Sequence, residues 1–123
     1  MVLKRVLDTN AILYLLGGKL AQSLPAGQYL ISVISEMELL SYPLLDEAAQ
    51  AKIQEFLSDV TVVDLTEEVK DLAIRLRREH LLKLPDAIVA ATALRLGAPL
   101  VTNDSKLLKV PVLSCQQLKL KNP

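Results

Sequence analysis

Hydrophobic and polar positions are arranged along the chain in blocks that predict alternating strands and helices. Short runs rich in Val, Ile and Leu end at polar residues, and most are followed by apolar residues at helical spacing. The runs predicted as strands are residues 4–7, 29–33, 60–63, 100–102 and 110–113. Strands that are apolar throughout are typical of parallel sheets covered on both faces. The pattern therefore predicts an α/β fold around a mainly parallel sheet.

Three of the predicted helices begin at polar residues that can cap them. Ser35 and Glu38 match the capping box S-x-x-E, which would start a helix at Ser35 and give Glu38 a structural role. Asp46 is predicted to cap a helix that runs to about residue 58, and Thr66 to open the next. Each of these two helices has one apolar face, so we predict that they form a hairpin packed at the sheet edge.

The composition fits a single domain over residues 1–123. A chain of 123 residues can bury roughly two thirds of its unfolded surface. It is 51% hydrophobic but only 3% aromatic, which favours helices and strands of Leu, Ala, Val and Ile over an all-β sandwich. The chain start lacks a signal-peptide pattern and no apolar run approaches the ~20 residues of a membrane span, so we expect a cytoplasmic protein.

Cysteine and histidine are too scarce for disulfide or zinc chemistry. The sequence has one cysteine, Cys115, and one histidine, His80, whereas a structural zinc site takes four such ligands. Any metal would therefore be held by oxygen atoms.

Charge is unevenly distributed although the net charge is zero. Residues 46–71 carry eight acids and two bases, a net −6, and residues 72–123 carry nine bases and three acids, a net +6. The C-terminal half can therefore attract a polyanion, although solvated helix faces also explain most charge runs.

Four acids are predicted to converge at one edge of the sheet. Asp8, Glu38 and Asp104 follow the carboxyl ends of three predicted strands, and Asp86 lies in the first turn of a helix opened by Pro85. Each acid also has a local interpretation, as a helix cap, a capping-box partner, a first-turn acid or an Asx-turn residue.

Convergence of these acids has an energetic consequence. Two carboxylates ~4 Å apart repel by about 4 kcal/mol at an effective dielectric constant of 20. Either some acids must have raised pKa values or a cation must lie among them. Ligand sets made only of oxygen suit Mg²⁺ or Mn²⁺.

Other phosphate and hydrolase chemistries fit the sequence less well. The chain has no Walker loop and no G-x-G-x-x-G, and His80 has no Ser or Cys partner by motif. A haloacid dehalogenase-like phosphatase would need D-x-D, but Asn10 stands at the second position. A non-catalytic module that binds RNA or protein stays open as the alternative to metal-assisted hydrolysis.

The four acidic segments, taken together and in order, resemble the motifs of the PIN domain nucleases. They are Val6-Leu7-Asp8-Thr9-Asn10, residues 31–39 around Glu38, residues 84–93 around Asp86, and Leu100-Val101-Thr102-Asn103-Asp104. The resemblance implies a three-layer α/β/α sandwich with a central parallel sheet, and a Mg²⁺- or Mn²⁺-dependent endoribonuclease. Members of this length are typically VapC-type toxins of toxin–antitoxin pairs, often dimeric and blocked by a small antitoxin.

The resemblance also implies roles for individual residues. Asp8, Asp86 and Asp104, together with Glu38, would hold one or two divalent ions, and Glu38 would also bind or orient the attacking water. Asn10, Thr102 and Asn103 match the polar neighbours of the motifs and are candidates to support the acids. RNA would be read from unpaired bases, and its backbone would contact basic residues on the C-terminal half, for which the candidates are Lys83, Arg95 and Lys106.

Overall fold

The computed structural model describes residues 3–122 and shows strands and helices in alternation. The elements in chain order are β1 Lys4–Leu7, α1 Thr9–Leu16, β2 Gln28–Ser32, α2 Val33–Leu40, α3 Glu47–Asp59, β3 Thr61–Val63, α4 Glu67–His80, α5 Leu84–Leu96, β4 Leu100–Val101, α6 Ser105–Leu108 and β5 Cys115–Gln116. None of the helices within these residues is long and apolar enough to cross a membrane.

The strands form one parallel sheet in the order β3-β2-β1-β4-β5. β1 is central, and Val6 pairs with Leu30 of β2 on one side and with Leu100 of β4 on the other. The chain therefore extends the sheet from β1 first in one direction and later in the other. Such a reversal opens a crevice beyond the carboxyl ends of the strands, where ligands of open α/β sheets bind.

Neighbouring residues of each inner strand point to opposite faces of the sheet and enter two separate cores. Val6, Leu30 and Leu100 pack with α4 and α5, whereas the residues that follow each of them pack with α1, α2 and α3. This arrangement confirms the three-layer α/β/α fold. It also shows that the predicted hairpin of α3 and α4 is wrong, because the two helices cover opposite faces.

The start of α2 differs from the predicted capping box. Ser32 is the N-cap, and its hydroxyl accepts the Ile34 amide at 3.1 Å. Ser35 is fully buried inside the helix instead of preceding it. Glu38 therefore has no capping role, and the structural interpretation of this residue is wrong.

The last strand also lies later than predicted. The amides of Val110 and Leu113 are used in local turns, to the carbonyls of Leu107 and Val110. Pro111, in the same run, has no amide to give to a strand ladder. β5 at Cys115–Gln116 pairs with β4 instead.

α5 is the most buried helix of the described chain. Its residues 87–93 are all buried, and Gly97 ends it in the left-handed conformation at φ 63°. The helix begins at Leu84, one residue before the start predicted at Pro85, and Asp86 lies in its first turn as predicted, near the carboxyl ends of the strands. The linker of residues 81–83 connects α5 to α4.

Candidate active site

The four predicted acids line a single cavity of about 220 Å³ at the carboxyl ends of β1, β2 and β4. The lining residues are Asp8, Thr9, Asn10, Glu38, Tyr42, Lys83, Pro85, Asp86 and Asp104. A larger cavity of about 410 Å³ lies between α1 and α3, but its lining is mainly apolar and its one acid caps α3. The polar cavity is therefore the candidate active site.

Asp8 is both a helix cap and a member of the cavity. Its Oδ1 accepts the Ala11 amide at 2.7 Å as the N-cap of α1, and its Oδ2 accepts the hydroxyl of Thr102. The residue is only 5% exposed. Thr102 Oγ1 also accepts the amide of Asp104 at 3.0 Å, so one hydroxyl links the ends of β1 and β4. These bonds fix the Asp8 carboxylate against the central strand.

Glu38 is positioned by a hydroxyl pair that the sequence did not reveal. Thr9 donates to Glu38 Oε1 at 2.7 Å, and the hydroxyls of Thr9 and Ser35 are 2.9 Å apart. Since Thr9 has one proton and gives it to Glu38, Ser35 must be the donor to Thr9. The one available signal was the place of Thr9, directly after Asp8 at the strand end.

Asp104 and Asp86 direct carboxylate oxygens toward the same space. Asp104 Oδ1 caps α6 by accepting the amides of Lys106 at 2.8 Å and Leu107 at 3.1 Å. Within residues 3–122 its Oδ2 has no hydrogen-bond donor, and Asp86 has none at either oxygen. These oxygens are the ones left available to a ligand.

Burial and mutual repulsion raise the pKa values of two of the acids. Loss of solvent around Asp8 raises its pKa, and the nearby charge of Asp104 adds to this, whereas the bonds from Thr102 and Ala11 oppose it. Burial likewise raises the pKa of Asp86, with further contributions from Asp104 and Asp8 that Lys83 partly offsets. The cavity therefore holds more negative charge than its surroundings stabilise.

The donor chemistry of the cavity fits a hard divalent cation. In the part of the chain that the structure describes, no three His, Cys, Asp or Glu groups are close enough to form a complete metal site. Mg²⁺ commonly keeps several waters and is bound by only one or two carboxylates, so a complete protein cage is not required. The carboxylates, with the Thr9 hydroxyl and Asn10 beside them, supply oxygen ligands only.

The remaining candidates are distributed between the cavity and other sites. Asn10 and Lys83 line the cavity. Asn103 instead holds the C-terminal segment, donating to the carbonyl of Leu118 at 3.0 Å and accepting its amide at 2.7 Å. Arg95 forms an ion pair with Glu68 on the surface.

Comparison with known proteins places the chain in a family. The model of the PIN domain matches residues 5–113, which is most of the sequence. The chain belongs to the PIN domain family. A search of curated protein sequences finds no significant match.

Solved structures support the PIN fold over nearly the whole chain. VapBC2 from Rickettsia felis, bound to a promoter DNA fragment, superposes with a TM-score of 0.79 at 23% identity, covering 95% of this chain and 100% of that one. A toxin–antitoxin complex from Klebsiella pneumoniae gives a TM-score of 0.73 at 26% identity, covering 89% and 94%. DNA-bound VapBC from Salmonella typhimurium gives 0.76 at 21% identity, covering 94% and 98%. These likenesses confirm the fold that the four motifs predicted.

The Thr9 contact leads to a prediction about the PIN site. Thr9→Val keeps the shape of the side chain but removes the hydroxyl that orients Glu38, so we expect any activity that requires Glu38 to fall by about 10- to 100-fold, as for other outer-shell partners. Because Thr9→Val also leaves the buried Ser35 hydroxyl without its acceptor, the free energy of unfolding should fall by about 1 to 3 kcal/mol. Kinetics of Thr9→Val beside Thr9→Ser, which retains the hydroxyl, test this. Full activity in Thr9→Val, or a loss in Thr9→Ser as large as that in Thr9→Val, would show that the hydroxyl is not the feature that matters.

Proposed function

We propose that this PIN protein is a Mg²⁺- or Mn²⁺-dependent endoribonuclease that hydrolyses phosphodiester bonds in RNA and acts as the toxin of a type II toxin–antitoxin pair. The observation that carries the proposal is the convergence of Asp8, Glu38, Asp86 and Asp104 on one cavity at the switch point of the sheet. Acids whose pKa values are raised by burial and by one another's charge are typical of functional sites.

Each acid has a part in this proposal that follows from its contacts. Asp8, Asp86 and Asp104 would hold the cation, which when bound neutralises phosphate charge and lowers the pKa of water. Asp8 is fixed by Ala11 and Thr102, so its carboxylate keeps one orientation. Glu38, held by Thr9, is placed to orient the attacking water and accept its proton.

Substrate binding falls to groups at the rim of the same cavity. Lys83 is exposed and lines the cavity beside Asp86, so its ammonium can contact a phosphate that approaches the acids. Tyr42, 43% exposed, presents an aromatic ring at the rim on which an unpaired base can stack. We propose single-stranded RNA as the substrate because splayed bases can reach such groups.

An antitoxin partner, a homodimer and a cytoplasmic location complete the proposal. The similar structure from Klebsiella pneumoniae is a toxin–antitoxin complex, and those from Rickettsia felis and Salmonella typhimurium are VapBC structures, from a family of toxin–antitoxin systems. The gene immediately upstream should therefore encode a small protein with a DNA-binding N-terminus. Co-expression should yield a complex in which cleavage is blocked, and light scattering should report two copies of this chain.

A non-catalytic PIN module that binds RNA or protein is the second candidate. It is favoured by the spacing of the acids, because within residues 3–122 no three potential ligands already form a metal site. A module of this kind would bind RNA in Mn²⁺ without cutting it. The phosphatase alternative is excluded by membership of the PIN family.

The chemistry of the cut separates the proposal from contamination by other ribonucleases. External water attacks without help from the ribose, so replacing the nucleotide at each cut site by its 2′-deoxy form should leave cleavage intact. Ribonucleases that use the 2′-hydroxyl as nucleophile form 2′,3′-cyclic phosphates and stop at such a nucleotide. Cleavage that disappears with the 2′-hydroxyl would contradict the proposal.

A further inference from the structure

A further cavity, of about 250 Å³, has basic side chains in its lining and is called the basic cavity. Its lining residues are His80, Leu81, Lys106, Lys109 and Val110. Lys106 and Lys109 are exposed and three positions apart at α6, so their side chains reach the same side. His80 ends α4 opposite them. The cavity therefore combines two lysine ammonium groups with one imidazole ring.

Two short segments connect the basic cavity to the acidic cavity. On the first, Asp104 lines the acidic cavity and Lys106, two residues later, lines the basic one. On the second, His80 lines the basic cavity and Lys83, three residues later, lines the acidic one. The same two segments thus border both cavities, and only two or three residues separate the cavities along each segment.

The positive charge of the basic cavity is available to a ligand. Among the described residues, neither Lys106 nor Lys109 has a carboxylate within 4 Å, whereas Lys70 and Arg95 are each paired with a glutamate. His80 has only Glu79 of its own helix, with Nε2 and Oε2 3.9 Å apart. The ammonium groups of the two lysines are therefore not held in ion pairs within the described residues.

We infer that the basic cavity binds a backbone phosphate of the RNA that flanks the bond being cut. The inference rests on the proposed function, since it requires a phosphate at the acidic cavity. A chain with a phosphate at the four acids carries further phosphates past the site, and the acids repel these neighbours. Lysine is a common phosphate ligand, and the cavity offers two lysines on the path from the acids. Lys106 and Lys109 therefore position the substrate and take no part in the chemistry.

Salt dependence of binding tests this inference directly. The probe is a labelled oligouridylate, and the parent protein is Asp8→Asn, which should bind RNA without cutting it. Each lost phosphate contact on a single strand should reduce the slope of log K against log salt concentration by about 0.7. Lys106→Gln with Lys109→Gln should therefore lower the slope by about 0.7 to 1.4. In the protein with Asp8 intact, the same two substitutions should raise KM and leave kcat unchanged.

A matched double variant controls for net charge. Lys19→Gln with Lys52→Gln removes two exposed lysines near α1 and α3, on the other face of the sheet, and should leave the slope unchanged. The inference is overturned if both double variants lower the slope equally. It is also overturned if the Lys106 and Lys109 double variant leaves the slope unchanged and weakens only the binding of the protein encoded upstream. If the protein with Asp8 intact cuts RNA and the slope does not change, the inference fails alone. If nothing is cut or bound, the proposed function fails with it.

Discussion

Asp8→Asn is expected to abolish RNA cleavage without unfolding the protein. Asn caps helices about as well as Asp, so the bond from the Ala11 amide to the side-chain oxygen is retained. The negative charge at the head of the cavity is lost. Loss of outer-shell partners of a metal costs 10- to 100-fold, so loss of a carboxylate ligand should cost at least about 100-fold in kcat. Circular dichroism and single-turnover cleavage of labelled RNA provide the two readouts.

Asp46→Asn is the matched control for this variant. Asp46 caps α3 through Oδ1 and the Ala49 amide at 2.7 Å, the same contact and length that Asp8 makes with Ala11. It lines the apolar cavity instead of the acidic one. Asp46→Asn should therefore cleave RNA at the rate of the unmodified protein. Full activity in both variants would mean that Asp8 is a cap and nothing more.

The second large effect is expected in the pH dependence of stability without metal. Asp8 and Asp86 have higher pKa values folded than the 3.8 expected for an ordinary Asp. Between the ordinary and the raised pKa, the folded state binds more protons than the unfolded state. The free energy of unfolding therefore decreases as pH rises through this window, by about 1.4 kcal/mol per unit of pKa difference. Stability contributed by these two groups is greatest on the acidic side.

Asp86→Asn should remove its share of this pH dependence. In chelator at neutral pH, the variant should be more stable than the unmodified protein, and the difference should vanish near pH 3. Adding Mn²⁺ should make the unmodified protein the more stable of the two. Mn²⁺ at 100 times its Kd adds about 2.7 kcal/mol to the free energy of unfolding of a protein that binds the ion. Urea unfolding across pH, with and without Mn²⁺, measures both effects. A variant that follows the unmodified protein at every pH and Mn²⁺ concentration would refute this explanation.

The positions of the acids could be predicted from the sequence because strand ends in a parallel sheet share one edge. Asp8 and Asp104 show that the local and the functional interpretations are compatible. Each uses one carboxylate oxygen as a helix cap, and each lines the cavity. The preference for Asp as a helix cap was therefore no reason to exclude an acid at a strand end from the candidate site.

The role of Ser35 depended on contacts that sequence spacing does not contain. Ser32 and Ser35 can each cap a helix over the residues that follow, and only the packing of the helix decides which one does so. Ser35 is buried against Thr9, which is 26 residues away in the chain. A capping motif can thus be matched by a serine that serves a tertiary contact.

The errors in the fold arose where the sheet extends to its edges. β5 has two residues, too few for a periodic pattern, and its position is supported by a long-range bond from Arg5 Nε to Gln116 Oε1 at 2.9 Å. The helices α3 and α4 each have one apolar face, but that pattern does not say which face of the sheet it covers. Both features depend on residues far apart in sequence.

The most direct test of the central claim is the cleavage rate of a labelled single-stranded RNA as Mn²⁺ is titrated into metal-free protein. The four-acid site predicts no cutting in chelator, saturable cutting as Mn²⁺ is added, and none at any concentration for Asp8→Asn purified in parallel. Equal cutting in chelator, or by Asp8→Asn, would contradict the assignment of the site. Absence of cutting together with absence of Mn²⁺ binding by calorimetry would leave a non-catalytic PIN module.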